Sequence, residues 1–504
     1  MGPQGQQGVL SASGSRESPY DAVPYPGHPF AQTHPDRLAT LATLFGLRPA
    51  APGSCRVLEL GCGDAANIVG MAVALPGASF AGIDAAPGAI ARGEQLVAAL
   101  GLANVALAAR GIEECEPEPA SFDYVIAHGV YSWVAPAVRD RLLAVCRSAL
   151  ADHGVAYVSY NALPGGRLRE ALRDMLVFHT AGVTEPGERI VQARALLRFL
   201  VEGSPSGHEL AALMRDQAER LLDRGDASLL HDELAAVNEA VYFHEFAAHA
   251  ARHDLQYLAE ADFFEMQIGA ASEPAADALL AVEDPVRREQ YLDFLKGRMF
   301  RQTLLCRAEQ AIDRTPRPAV VEGLAVSTQA QRSADGLTFE SPTGSTLTTD
   351  HPLVIDALER AARSWPGALW VRELIAPGAP EAERIALCDA LLRSYAANLV
   401  ALHVHPPALT TAPGDAPRTS ALARHQAGTG QVVTNLRHAS VRIEDELGRR
   451  LVTLLDGTRD RAALAAALRA SLVERGDPVP EDLLDGLERS LQGLAHLALL
   501  EPGP

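Results

Sequence analysis

The spacing of apolar positions changes character along the chain. Between about 56 and 159, short apolar runs at 56–60, 79–83, 105–109, 124–127 and 155–159 alternate with helical patterns near 66–75, 87–100 and 136–150. Strands separated by helices cannot pair as hairpins. The pattern therefore predicts a mainly parallel sheet with right-handed crossovers and ligands at the strand ends. Upstream, residues 1–16 are rich in Gly, Gln and Ser with few apolar anchors, the composition of a disordered leader. Aromatics and prolines then interleave (Tyr20, Pro24, Tyr25, Pro26, Pro29, Phe30) before Thr33-His34-Pro35 opens a helix reaching about Phe45. Such a stiff strap either packs on the core or closes over a ligand.

After Pro164-Gly165-Gly166 the pattern turns to long helices as far as about Arg314. Two His-acid pairs fall in this stretch, His231-Asp232 and His244-Glu245, but no third ligand is fixed by spacing, so no metal is expected. A Pro-flanked break at 315–318 leads to a strand-like run at 337–340 and helices around 351–364, 370–376 and 380–395, an order similar to a winged-helix module. The expected organisation is a leader (1–16), a ligand-binding core with an N-terminal lid (17–168), a helical domain (169–314), a winged-helix-like module (315–404), a linker (405–418) and a small helical module (419–504).

The most informative stretch is Val57-Leu58-Glu59-Leu60-Gly61-Cys62-Gly63-Asp64, followed by Gly82-Ile83-Asp84. An apolar strand ending in a glycine turn, then a second strand ending in an acid, builds a nucleoside site: the glycines let backbone approach the ligand and Asp84 accepts both ribose hydroxyls. Gly61, Gly63 and Ala66 also fit the G-x-G-x-x-G/A of dinucleotide folds, so NAD is the alternative. Glu59 decides against it, because an acid at the mouth of the site repels a pyrophosphate and suits S-adenosylmethionine, which carries a sulfonium and an ammonium and no phosphate.

Composition narrows the partners. A net charge of -19 and a pI near 5.3 disfavour nucleic acid, and the winged-helix-like segment has no basic stripe, so a basic methyl acceptor is expected. Six cysteines without a C-x-x-C pair fit a reduced cytoplasm, and no apolar run is long enough for a membrane span. Lys296 is the only lysine, which a GC-rich genome explains; avoidance of self-methylation is the alternative.

Several stretches together resemble the bacterial class I S-adenosylmethionine-dependent methyltransferases that bear a methyltransferase regulatory domain, including rickettsial protein-lysine methyltransferases. They are 19–26, 33–39, 58–64, 127–134, 159–165, 242–246 and 294–301. The resemblance implies an α/β fold, with a Rossmann-like core, a helical regulatory and dimerisation domain and small winged-helix-like modules behind it. It implies S-adenosylmethionine as cofactor, held by Glu59, Gly61, Gly63, Asp64, Asp84, Ile112 and His128. It also implies a homodimer and a protein, peptide or small-molecule acceptor. A small-molecule biosynthetic methyltransferase and a cofactor-binding scaffold without activity are the competing functions.

Two departures stand out. Gly111 replaces the acid that commonly meets the adenine amino group, with Glu113 close behind, and Gly166 stands where a bulky residue is expected, which would widen the acceptor pocket. For the acceptor, a lysine amine must lose its proton before it attacks, and aromatic, desolvated walls promote that loss. His128, Tyr131, Trp133, Tyr160 and Asn161, all at strand ends, are the expected catalytic residues.

Overall fold

The computed structural model describes residues 27–205, 207–269 and 271–503. The leader expected at 1–16 and the strap residues Tyr20, Pro24, Tyr25 and Pro26 lie outside them. Helix α1 (Pro35–Leu44) follows, with Pro35 at its first turn and the His34 ring accepting from the Asp36 amide.

The core is one seven-stranded sheet in the order β3-β2-β1-β4-β5-β7-β6. Strands β1 (Arg56–Leu60), β2 (Ser79–Asp84), β3 (Val105–Ala109), β4 (Phe122–Ala127) and β5 (Leu150–Asn161) pair in parallel. They are linked by helices α2 (Ala66–Ala74), α3 (Pro87–Leu100) and α4 (Pro136–Ala149), as the alternating pattern predicts. Every residue of β4 is buried, the mark of a central strand covered on both faces.

The last two strands correct the expected domain boundary. β6 (Leu255–Glu260) and β7 (Phe300–Arg307) belong to this sheet, β7 running antiparallel between β5 and β6. Residues 169–314 are therefore not wholly a separate helical domain, because β6 and β7, within 255–307, complete the core sheet. Charge hid β7 from a reading of periodicity. Arg301 sits 1% exposed in the strand because Glu260 (2.5 Å), Asp293 (2.9 Å) and Glu289 (2.9 Å) receive its guanidinium, which lies over the Phe243 ring. A buried cation is tolerable only when so fully paired.

Between β5 and β6 is a helical insert: α5 (Gly166–His179), α6 (Pro186–Gly203), α7 (Glu209–Leu222) and a widened turn of helix at Leu229–Glu233. It has its own small core around Leu172, Leu176, Ala193, Leu197, Ala218 and Leu229. After it come α8 (Phe243–Ala251), α9 (Glu273–Leu280) and α10 (Pro285–Lys296).

The segment expected as an independent winged-helix-like module is continuous with the sheet. It carries β8 (Ala325–Ser327), β12 (Leu369–Trp370) and β13 (Ala401–His403) as a second sheet, a three-stranded meander of β9 (Gln331–Arg332), β10 (Thr338–Glu340) and β11 (Thr346–Thr348), and helices α11 (Pro352–Arg363) and α12 (Glu381–Ala396). Leu358, Leu387 and Leu391 share one apolar core with Leu38, Val57 and Tyr124. The His403 ring bonds Asp36 of α1 at 2.7 Å.

The last module has its own core of leucines on α13 (Ala421–Thr429), α14 (Glu446–Leu454), α15 (Arg461–Arg475) and α16 (Leu483–His496). A two-stranded wing, β14 (Val432–Thr434) with β15 (Ser440–Arg442), projects from it, as the resemblance to winged-helix-like modules implies. No helix among the described residues is long and apolar enough to cross a membrane.

Candidate active site

A cavity of about 820 Å³ opens at the carboxyl ends of β1, β2, β4 and β5 and is closed on its far side by the helical insert. All the residues expected to hold the cofactor line it: Glu59, Gly61, Gly63, Asp64, Asp84, Ile112 and His128.

The turn after β1 explains the glycines. Gly61 (φ +73°) and Gly63 (φ +56°) take left-handed backbone conformations, so that the amides of Gly61 and Cys62 both reach the Ile83 carbonyl. A Cβ on Gly61 would stand 2.6 Å from Val130, whereas one on Gly63 would meet nothing and project into open space. Asp84 accepts from the amides of Gly63 (2.9 Å) and Ala86 (2.8 Å), which fixes the orientation of its carboxylate at the strand end. Cys62 fills the space over Gly82, where a Cβ would lie 2.8 Å from its sulfur.

Glu59 is 3% exposed, and only one of its oxygens is satisfied, by the Asn67 side-chain amide at 2.7 Å. Its Oε2 is buried without a hydrogen-bond partner among the described residues. Burial pushes this carboxyl up to about 8, against the Asn67 hydrogen bond and helped by the charges of Asp84 and Asp64. A carboxyl so raised is largely protonated at neutral pH, and a cation held beside it favours the carboxylate. The unpaired oxygen, the open side of Gly63 and three converging acids fit the ammonium, sulfonium and ribose of S-adenosylmethionine.

Where Gly111 replaces the expected acid, the Glu113 carboxylate folds back, within 2.8 Å of where a Gly111 Cβ would be, and lines the cavity beside Ile112. The signal was present in the sequence, two residues displaced.

Beyond the glycine turn, the wall is built from residues remote in sequence. His128, Trp133 and Asn161 line the cavity, as expected of them, and Arg169, Leu172, Gln217, Arg220, Arg224, His231 and Asp232 face them from the insert. His128 is held by Tyr157 (Nδ1 to the phenol oxygen, 2.9 Å) and lies against Phe30, ring centroids 3.9 Å apart. Desolvation lowers its pKa to about 4, so the ring is uncharged at neutral pH. Asn161 donates from Nδ2 to Asn238 Oδ1 at 2.8 Å, while its own Oδ1, like Trp133 Nε1, is buried with no partner among the described residues.

Tyr131 and Tyr160, expected in the acceptor pocket, do not line it. Tyr160 is fully buried, stacked on Phe246 (4.2 Å between centroids) and bonded to Thr303 Oγ1 at 3.0 Å. Tyr131, 3% exposed, packs edge-on against the same Phe246 and bonds His249 Nδ1 at 2.8 Å. The reason is strand alternation. Tyr157, Ser159 and Asn161 share one face of β5 and Tyr160 the other, so the face containing Asn161 cannot also present Tyr160. That period of two was the available signal for Tyr157 and Ser159, which sequence reasoning missed.

Gly166 widens nothing. A Cβ there would stand 3.0 Å from that of Ala240, so the glycine serves close packing. Of the two His-acid pairs, His231-Asp232 lines the cavity, whereas His244 bonds Gln290. Asp140, His249 and His253 bring ligand-type atoms within 4.8 Å of one another between α4 and α8, away from the cavity.

Models of three families match this chain: a methyltransferase domain over residues 58–156, a predicted methyltransferase regulatory domain over 225–307, and a PKMT C-terminal winged helix domain over 415–482. An uncharacterized protein of Rickettsia prowazekii (strain Madrid E) is 33% identical over 242 residues, 47% of this chain and 96% of its own length. The chain belongs to the class I S-adenosylmethionine-dependent methyltransferases with a methyltransferase regulatory domain. Another uncharacterized protein of the same organism is 39% identical over 311 residues, and the match spans 61% of this chain and 56% of that relative. The solved structure of PKMT2 from Rickettsia typhi superposes on this methyltransferase with a TM-score of 0.83 at 25% identity, covering 94% of this chain and 100% of that one. PKMT2 in complex with AdoHcy gives 0.81 at 25% identity, with 95% and 100% covered. The cofactor of the family, S-adenosylmethionine, is the one the cavity fits.

Proposed function

We propose that this methyltransferase methylates an amine nitrogen of a protein or peptide, lysine being the acceptor side chain that best matches the site. The observation that carries the reading is Asn161 Oδ1, a buried acceptor atom at the cavity wall with no hydrogen-bond partner among the described residues. A buried carbonyl left unpaired costs about 1–3 kcal/mol. An incoming amine N–H removes that cost and, in donating, turns its lone pair away from Asn161 and toward the cofactor half of the cavity.

When bound, S-adenosylmethionine supplies an electrophilic methyl group and its own leaving group. The chain's residues do the rest. Glu59 and Asp64 hold the amino-acid end, Asp84 the ribose, Ile112 the adenine face and Glu113 its amino group. Uncharged His128 and Trp133 with Phe300 form a desolvated wall that disfavours the ammonium form of the acceptor, and Asp232 receives or balances the departing proton's charge. A second reading has its own support. Arg169, Arg220 and Arg224 line the far wall, a set that suits a small amine bearing a carboxylate.

A homodimer in the cytoplasm completes the proposal. Phe178 (85% exposed), Phe199 (68%) and Leu210 (68%) lie bare on the helical insert, an apolar surface that a second copy would cover.

Transfer of tritiated methyl into a size-fractionated bacterial lysate tests the acceptor. Base-stable label in protein supports a lysine amine; label confined to small solutes establishes the second reading, and base-labile label in protein points to a carboxylate and rejects the amine.

A further inference from the structure

We propose that His438, at the tip of the last module's wing, is a positioning residue for the cofactor site: it fixes the Asn67 amide that holds Glu59, so docking of the C-terminal module and binding of S-adenosylmethionine are coupled. The wing tip does not face solvent. It is inserted between Asn67 of the methyltransferase core and Ser327 and Pro366 of the segment 315–404.

Asn67, 4% exposed on the first turn of α2, is the junction. Its Nδ2 donates to Glu59 Oε1 at 2.7 Å and to Thr33 Oγ1 at 3.0 Å. Its Oδ1 accepts from the Phe30 amide at 2.9 Å and meets His438 Nε2 at 2.8 Å. An amide has an acceptor end and a donor end, so two N–H groups converging on one end determine which atom faces the carboxyl. Without His438, one of those two determinants is gone. The same Oδ1 anchors Phe30, whose ring packs on His128, so the N-terminal strap hangs from the same atom.

For His438 to donate from Nε2, its proton must be there, which leaves Nδ1 as an acceptor; that atom is buried without a partner among the described residues. Burial, with His34 nearby, holds the ring's pKa well below 6.5, so it remains a neutral donor. His438 also has φ +56°, unfavourable for a residue with a side chain. A ring kept only for packing needs neither a strained backbone nor an unpaired nitrogen.

The surroundings are built to hold it. Asn435 Oδ1 accepts from the amides of Arg437 (3.0 Å) and Ala439 (2.9 Å), and Asn435 Nδ2 donates to the Leu497 carbonyl at 3.0 Å. Arg437 donates to the Pro366 carbonyl and to Ser327 Oγ across the module boundary, over the Trp365 ring. On the receiving side, Gly70 forms the notch. A Cβ there would stand 2.9 Å from both Cε1 and Nδ1 of His438.

The charges facing Glu59 are those of Asp64 and Asp84, with the Cys62 thiol beside them; the group facing His438 is His34. None of these changes in the variants below. Because the Asn67 hydrogen bond holds the Glu59 carboxyl down against burial, losing it moves that group's titration upward.

The test is calorimetric binding of S-adenosylmethionine to the full chain between pH 6 and 9, in the parent and in His438→Ala, His438→Gln and Gly70→Ala. The expected result for His438→Ala is about tenfold weaker binding at pH 7, the worth of one hydrogen bond to a buried group, and an upward move in the pH at which affinity levels off. Gln keeps an N–H donor and is expected to recover most of the loss, while Gly70→Ala, which displaces the ring, is expected to reproduce it. Parent-like affinity and pH dependence in a folded His438→Ala protein overturn the proposal, as does a purely thermal defect shared equally by Ala and Gln. Hydrogen exchange on the parent gives an answer even if that variant fails to fold: saturating S-adenosylmethionine is expected to slow exchange in 432–442, and unchanged exchange there, with binding demonstrated, rejects the coupling.

Discussion

The two halves of the cavity are built on opposite plans. The cofactor half is centred on β1, β2 and the turn between β1 and α2, a stretch from Glu59 to Asp84 in which backbone geometry decides the shape, with Ile112 and Glu113 added after β3. The acceptor half is gathered from β4, β5, the helical insert and the loop before β7, with Asn161, Arg169, Arg224, Asp232 and Phe300 far apart in sequence. Local determinants keep the cofactor site fixed, while remote ones let the acceptor wall vary with the insert. The two halves differ in charge as well. Four acids (Glu59, Asp64, Asp84, Glu113) with Arg92 and Arg110 line the cofactor side, whereas three arginines (Arg169, Arg220, Arg224) and a single acid, Asp232, line the other.

The largest effect is expected where a single buried charge carries recognition. Glu59→Gln keeps an acceptor for Asn67 but cannot ionise, and it is expected to weaken S-adenosylmethionine by about 3 kcal/mol at pH 8, the scale of breaking a buried ion pair. Stability of the free protein moves the other way. A carboxyl raised from 4.5 to about 8 on folding contributes stability fully present below pH 4.5 and lost as pH rises through 8. The parent's chemical-denaturation stability is therefore expected to fall across that window more steeply than the variant's. A parallel fall in both proteins would remove Glu59 from the account. Next in size is Asp84→Ala, which removes the oriented ribose acceptor and is expected to cost roughly 1.5–3 kcal/mol in calorimetric affinity.

On the acceptor side, Asn161→Ala is expected to leave cofactor affinity within about twofold and lower single-turnover methyl transfer roughly tenfold, the value of one hydrogen bond. Loss of cofactor affinity instead would merge the two halves. The smallest effects belong to Tyr131→Phe and Tyr160→Phe. Both hydroxyls bond inside the core, so transfer rates close to the parent's are expected with a stability loss of about 1 kcal/mol each, read by denaturant titration. A rate deficit without a stability change would return the rings to the acceptor pocket.

The same contrast explains what the sequence disclosed. Gly61, Gly63, Glu59 and Asp84 were legible because turn geometry and a strand-end acid are short-range signals. The parallel order of β1 to β5 was legible because helices separate apolar runs. β6 and β7 were not, since Arg301 makes β7 look solvent-facing until Glu260, Glu289 and Asp293 are brought to it by tertiary structure. Tyr160 lies at a strand end but on the face of β5 opposite Asn161, and position at a strand end alone does not distinguish the two faces. The insert's contribution to the cavity wall depends on how its helices pack across β5, which no local pattern encodes.

The central claim is that the cofactor half recognises a cation through a carboxyl that is largely protonated at neutral pH until the ligand arrives. Calorimetric titration with S-adenosylmethionine from pH 6 to pH 8, parent beside Glu59→Gln, tests it most directly, because the ligand's own amino group titrates identically in both experiments. With Glu59 at about 8 in the free protein, parent affinity is predicted to rise at least tenfold more than the variant's over this range, with proton release on binding. Equal pH dependence in the two proteins, with no difference in protons released, would contradict it.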